Sequence, residues 1–373
     1  MLKNYRIRDY DFKLVILVSA LTIIGIFAVG SAKESLQKTQ LTGFILGLFI
    51  MIVLSLFDYS ILLKLYWLFY LGNMVLLFLV ETPLGQSAGG AQRWIELFGI
   101  QFQPSETSKI LLILFYAQFI MKHKEELNTF KNIAISCLLI LPPLVLIYRQ
   151  PNLSTTIVTA AVFCVTMFVG GISWKLITGV LAFMVPAFII IFTIVIQPDQ
   201  TLLRGYQQTR ILAWLYPEKY ATTEAYQQLN SMMAIGSGQL YGKGYNTNVI
   251  SSVKNGNFIS EPQTDFIFAV IGEEFGFIGT CVVILLILFI ALECFLVARK
   301  ARDTAGTVIA SGMAGLIGFQ GFLNISVNTG LLPNTGVTLP FVSYGLTSLV
   351  SLYIGIGFVL NVGLQCRKNK VTF

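Results

Sequence analysis

Residues 258–279 read FISEPQTDFIFAVIGEEFGFIG, and their reading decides the fold. A polar segment broken by Pro262 runs straight into a long apolar helix, with Asp265 on the seam and Glu273 and Glu274 two to three turns further in. Carboxylates at the mouth of a membrane span are costly unless they face water or a partner, which makes the stretch a functional candidate. The other reading is local: Thr264 or Asp265 caps free backbone N–H groups at the helix start. These residues alone leave both readings open.

Composition settles the surroundings. Of 373 residues, 55% are hydrophobic and 12% charged, with a mean hydropathy of +0.75. Soluble domains carry about a quarter charged residues, so the chain is expected in a bilayer. The first apolar run, Leu14 to Gly30, is long enough to span and lacks a small-residue cleavage site, so it is expected to remain as the first helix. Cys137, Cys164, Cys281 and Cys294 lie inside apolar runs and Cys366 at a helix end, where they read as small packing residues and not as a disulfide framework. The single histidine, His123, sits in KHKEE between two helices. Histidine triads and histidine metal centres are thereby excluded. The net charge of +7 collects at helix ends and calls for no nucleic acid.

A span needs about 20 apolar residues. Such runs fall at 12–30, 41–57, 61–80, 106–121, 132–149, 152–170, 174–196, 277–298, 305–330 and 341–364. The expected fold is therefore an all-α polytopic membrane protein of ten transmembrane helices, a single domain over 1–373. A large extracytoplasmic loop, 197–264, is expected between helices 7 and 8. Positive residues set the orientation. Lys3, Arg6, Arg8, Lys13, Lys64, Lys122, Lys124, Lys131, Lys175, Arg299, Lys300, Arg302, Arg367, Lys368 and Lys370 fall on one side, which is then cytoplasmic and holds both termini. Lys33, Lys38, Arg93, Lys109 and Arg149 fall opposite, with Asp265.

Three irregular stretches share that outer side. In the large loop, Tyr226, Leu229, Met232 and Met233 recur at helical spacing, predicting an amphipathic helix on the membrane face over 223–235. The following GSGQLYGKGYNTN reads as a flexible lid. Residues 82–105 and 331–348 interrupt the apolar pattern with glycines and prolines. Irregular backbone at that depth survives only inside protein or around a cavity. No repeat of helices is present, which argues against an inverted-repeat transporter.

Glu106 and Lys109 are three apart on one helix and share a face, with Ser105 as the expected N-cap after Pro104. A plain internal ion pair is one reading. With Arg93 nearby, a cationic pocket for a diphosphate is the other, Arg binding through its planar fork and Lys as a point charge. Asp265 is then the acid beside that pocket, available as a general base. Glu273 and Glu274 lie deeper and are expected to pair within the bundle.

Several long motifs in order, GAQRWIELFGIQFQPSETSK (90–109), QPNLSTT (150–156), GKGYNT (242–247), the opening stretch and LLPNTGVTLPFVSYG (331–345), resemble the SEDS (shape, elongation, division and sporulation) family of RodA, FtsW and SpoVE, RodA above all. The resemblance implies a peptidoglycan glycosyltransferase that polymerises lipid II alongside a class B penicillin-binding protein in the bacterial plasma membrane, its active site outside the cell. It places the essential acid at Asp265 and the substrate-binding groups at Arg93, Gln103, Ser105, Glu106, Lys109 and Ser343. The implied reaction is an inverting attack of an N-acetylglucosamine 4-hydroxyl on C1 of an N-acetylmuramyl unit, undecaprenyl diphosphate leaving. A divalent cation, Mg or Mn, is admitted beside the diphosphate, although no ligand cluster demands one. The alternative class is a lipid II flippase. Two positions depart from the family pattern QPDLG, Asn152 for an acid and Ser154 for a glycine, and Leu346 stands where a second glycine follows SYG.

Overall fold

The computed structural model describes residues 10–88, 91–97, 100–197, 205–246, 256 and 258–366. The expected positive groups at Lys3, Arg6, Arg8, Arg367, Lys368 and Lys370 lie outside the described residues, as does the end of the expected lid from Thr247.

Thirteen α-helices and one small sheet are present among the described residues. The long helices are α1 (Phe12–Ala32), α2 (Glu34–Leu56), α4 (Tyr66–Glu81), α5 (Pro104–Lys122), α6 (Phe130–Arg149), α7 (Leu153–Val169), α8 (Trp174–Val195), α11 (Ile267–Lys300), α12 (Thr304–Asn328) and α13 (Leu346–Leu364). Short helices α3 (Tyr59–Leu62), α9 (Gly205–Leu215) and α10 (Tyr226–Ser237) complete the set. Among the described residues, seven helical segments are long and apolar enough to cross a membrane, Tyr59–Glu81 counted as one and α5, α7 and α8 not among them. Each of the ten expected runs coincides largely with one long helix, and α6 continues through Pro142 and Pro143.

The all-α expectation needs one correction. Residues 85–102, read as irregular, form an antiparallel sheet β1 (Gly85–Ala88), β2 (Ala91–Leu97) and β3 (Ile100–Phe102). Backbone polar groups near a bilayer must be paired, and with no helix here the strands pair one another.

Helices α5, α12 and α13 form the centre. Ile110 and Leu112–Ile120 on α5 are all buried, and α12 packs against α5, α7, α11 and α13. Outward faces remain apolar: Ile45, Phe49, Leu68, Leu71, Leu288 and Phe295 are exposed, as suits side chains facing lipid.

α11 begins at Ile267, next to the expected seam at Asp265 and well ahead of the apolar run 277–298. It breaks at Gly276, where φ 65° and ψ −161° leave the helical region. Glycine is required there, because a Cβ would lie 2.4 Å from the Gly242 backbone nitrogen. Residues 277–300 alone reach roughly 36 Å at 1.5 Å per residue, so the half-helix 267–275 is surplus to a crossing. It is almost wholly buried in protein.

The stretch read as a flexible lid is docked on that break. Lys243 N donates to the Glu273 carbonyl at 2.9 Å, Gly244 N to the Glu274 carbonyl at 3.1 Å, and Phe277 N to the Gln239 carbonyl at 2.8 Å. Gly238 admits the close approach, since a Cβ there would meet the Gly272 carbonyl oxygen at 1.9 Å. Gly238 and Gly242 serve contact here instead of looseness. The expected amphipathic helix exists as α10 with its polar face inward. Gln228, Asn230 and Ser231 are buried, and Tyr226, Met232 and Met233 are exposed.

Candidate active site

A cavity of about 830 Å³ opens where β2, α5, α7, α12, the 336–346 segment and the residues before α11 meet. Arg93, Trp94, Gln103, Glu106, Lys109 and Asp265 all line it. Strand alternation would send Arg93 and Trp94 to opposite faces. The register explains how both serve: Gln86 pairs with Trp94 and Ser87 with Gln92, leaving Arg93 as the extra residue of a bulge. Its guanidinium is then oriented by the α6–α7 link, Nε donating to the Gln150 carbonyl at 3.2 Å and Nη2 to the Pro151 carbonyl.

On α5, Pro104 opens the first turn, where its missing N–H costs nothing. Glu106 and Lys109 follow on one face. Lys109 Nζ donates to Glu106 Oε1 at 2.9 Å and to Gln320 Oε1 at 2.8 Å, and Glu106 Oε2 accepts from Ser348 Oγ at 2.7 Å. Both are buried. An ammonium has three donors, so one is left for a ligand in the cavity.

Asp265 does not cap its helix. The N-cap position of α11 belongs to Phe266, with no side-chain capping bond. The Asp265 backbone carbonyl accepts from Asn324 Nδ2 at 2.8 Å and Asn328 Nδ2 at 2.9 Å. Its carboxyl makes no hydrogen bond among the described residues. Gly336, with φ +70°, approaches it so closely that a Cβ would lie 3.2 Å from Oδ2. Burial pushes the carboxyl above the usual carboxylate range, opposed by the charges of Arg93 and Arg210 and reinforced by Glu261.

Two expected binding residues do not reach the cavity lining. Ser105 is fully buried as the second residue of α5, and the cap position is held by Gln103. Ser343 spends its hydroxyl on backbone: Oγ donates to the Thr264 carbonyl at 2.6 Å and accepts from Leu339 N at 2.7 Å. Its neighbours Tyr344, Gly345 and Leu346 line the cavity instead. Asn152 caps α7 by accepting from Thr155 N at 3.2 Å, and Ser154 Oγ donates to the Thr335 carbonyl. Glu273 pairs with Lys243 at 2.7 Å, and Glu274 accepts from Ser31 Oγ. Among the described residues no three His, Cys, Asp or Glu side chains converge as a metal centre.

Sequence reasoning missed Gln320, Asn324, Asn328 and Arg210. The amides had a signal, since polar groups at i, i+4 and i+8 of an apolar span share one face and are costly unless bonded. Arg210 had none, standing as an exposed side chain on the short helix α9.

Fold and site define the class: a polytopic membrane enzyme whose acid and cations meet in one cavity. The family model for FtsW, RodA and SpoVE, described as "Cell cycle protein", matches residues 9–368. The chain belongs to this SEDS family, is RodA-like, and is a glycosyltransferase. It is 34% identical to peptidoglycan glycosyltransferase MrdB of Escherichia coli over 94% of this chain and 93% of that protein. A probable peptidoglycan glycosyltransferase FtsW of Geobacter metallireducens is 33% identical, covering 97% and 96%. The crystal structure of Thermus thermophilus RodA superposes with a TM-score of 0.70 at 28% identity, covering 96% and 98%. A chain from a peptidoglycan synthase complex, described for the coordination of polymerization and crosslinking, gives 0.77 at 29%, covering 95% and 97%.

Proposed function

We propose that the chain polymerises lipid II into glycan strands on the outer side of the bacterial plasma membrane, through ten spans with both termini cytoplasmic. Asp265 takes the proton from the 4-hydroxyl of the acceptor N-acetylglucosamine. That oxygen attacks C1 of the donor N-acetylmuramyl unit with inversion, the C1–O bond breaks, and undecaprenyl diphosphate leaves with the bonding pair. Arg93 and Lys109 stabilise the charge that develops on the diphosphate, and Glu106 orients Lys109. Gln103 lines the same wall.

The observation that carries this reading is an acid whose carboxyl has no hydrogen-bond partner among the described residues, in one cavity with a buried lysine that keeps a donor to spare. A base must be unprotonated and within reach of its proton. The raised affinity of Asp265 for protons brings it closer to working pH than an ordinary carboxylate. A class B penicillin-binding protein is the proposed partner, supported by the similarity to a chain of a complex that couples polymerization to crosslinking.

Incubating purified protein, with and without such a partner, with labelled lipid II and resolving the products by gel tests the proposal. Wild type yields glycan strands and Asp265→Asn polymerises roughly 10²–10⁴-fold more slowly; wild-type rates from Asp265→Asn overturn it. Product in detergent also counts against the flippase alternative, because transport needs two compartments.

A further inference from the structure

Three amides on α12, Gln320, Asn324 and Asn328, stand at four-residue intervals and are at most 1% exposed. Amides in an apolar span are costly unless every donor finds an acceptor. The partners these three find are not scattered. Gln320 Oε1 accepts from Lys109, and its Nε2 donates to Thr338 Oγ1 and to the Thr338 carbonyl, each at 3.1 Å. Asn324 Nδ2 donates to the Val337 carbonyl at 2.6 Å and to the Asp265 carbonyl at 2.8 Å. Asn328 Nδ2 donates to the same Asp265 carbonyl at 2.9 Å and to the Asn324 carbonyl at 2.9 Å.

One rigid helix face therefore touches the cation, the acid's own peptide unit, and the segment whose Gly336 abuts the acid's carboxyl. Two donors hold the peptide unit after the Asp265 Cα, and Ser343 Oγ holds the one before it through the Thr264 carbonyl, so together they set the direction of the Asp265 Cβ. Resting on the function proposed above, we infer that this amide ladder is a positioning device: it sets the separation between the base at 265 and the diphosphate-binding ammonium at 109. The plainer role, satisfying backbone where α11 begins, would need only Asn324 or Asn328 and no link from Gln320 to Lys109.

The test measures kcat and KM for lipid II polymerisation, the pH–rate profile and the Tm of full-length Asn324→Leu, Gln320→Met and Asn324→Asp. Misplacing a reacting group by about an ångström costs on the order of 100-fold. The expectation is a kcat roughly 10- to 100-fold lower for Asn324→Leu and Gln320→Met, with KM within about threefold and the rising limb of the pH profile displaced for Asn324→Leu. Asn324→Asp keeps the shape and loses both donated bonds, so it should not rescue. Ser311→Ala, a buried hydroxyl of α12 outside the ladder, should leave kcat unchanged. If Asn324→Leu does not fold, Thr338→Val, which removes one acceptor of Gln320, carries the test with a several-fold loss of kcat. Lower Tm with kcat per folded molecule and pH profile unaltered overturns the ladder. Asp265→Asn is assayed alongside: if it is inactive while the ladder variants are normal, only the ladder falls, and if it is active, the proposed function falls.

Discussion

The buried half-helix 267–275 has carboxylates at both ends, and the two ends behave differently. At its start, Asp265 faces a cavity, its carboxyl without a hydrogen-bond partner among the described residues. At its finish, Glu273 is paired with Lys243 at 2.7 Å and Glu274 accepts from Ser31. Residue type and spacing are alike, and what differs is whether the fold supplies a donor. A carboxylate given a donor clamps structure, and one denied a donor stays available to a substrate. Asp265→Asn is the largest test of this contrast: polymerisation should fall by roughly 10²–10⁴-fold, the range for losing a general base. The same change should raise Tm at neutral pH. A carboxyl whose folded-state pKa lies above its unfolded value is most stabilising when protonated, and that stability is lost as pH rises through the folded pKa. The Tm gain should therefore vanish on acidification, and a Tm loss at pH 7 would break the contrast.

The two lysines repeat the comparison with opposite sign. Lys109, held by Glu106 and Gln320, keeps a donor for the cavity, whereas Lys243 belongs to the clamp on the α11 break. Lys109→Met should lower kcat by roughly 10²–10³-fold, as losing one electrostatic donor to a transition state does. Lys243→Met should leave kcat per folded molecule within about threefold and cost about 1–3 kcal/mol of stability, because it removes a 2.7 Å ion pair from a buried carboxylate. Parallel polymerisation assays and thermal melts separate them. Equal losses of kcat would merge the two classes of pair.

Backbone closeness at the clamp gives the next effect. Gly242 has φ +81°, and a Cβ would stand 2.1 Å from the Glu274 carbonyl oxygen. Gly242→Ala should destabilise by about 1–3 kcal/mol from strain alone, read as a lower Tm, with chemistry at Asp265 retained in the folded fraction. A stable Gly242→Ala would mean that the docked loop can leave the break without consequence.

These contrasts mark what the residues disclosed and what they concealed. The helical runs were legible because bilayer-length apolar stretches leave few alternatives. Arg93, Gln103, Glu106, Lys109 and Asp265 were legible because ionisable and polar groups beside such stretches stand out. The sheet at 85–102 was not, since glycine-rich segments hide a pairing that depends on register, and the bulge that turns Arg93 inward leaves no trace in composition. Gly238 and Gly242 read as looseness in the sequence but serve close packing, because packing and flexibility use the same residue. The fate of Ser105 and Ser343, and the partners of Gln320, Asn324 and Asn328, depend on which neighbour a side chain meets across the bundle.

The smallest effect expected comes from Asn152, where the family pattern carries an acid. Its side chain accepts from Thr155 N at the start of α7 while lining the cavity. Asn and Asp are nearly equivalent as N-caps, so either residue satisfies that donor. Asn152→Asp introduces a carboxylate where a donor already waits, and by the contrast above it should behave as the tied acids do. Stability should stay within about 0.5 kcal/mol, the spread between good caps, with any gain from the helix dipole also small. The rate should change by less than about threefold, because the new charge is spent on the helix end. A large rise in KM for lipid II would instead show that the carboxylate competes for the cations at Arg93 and Lys109. Occupying a cap would then not suffice to withdraw an acid from the cavity.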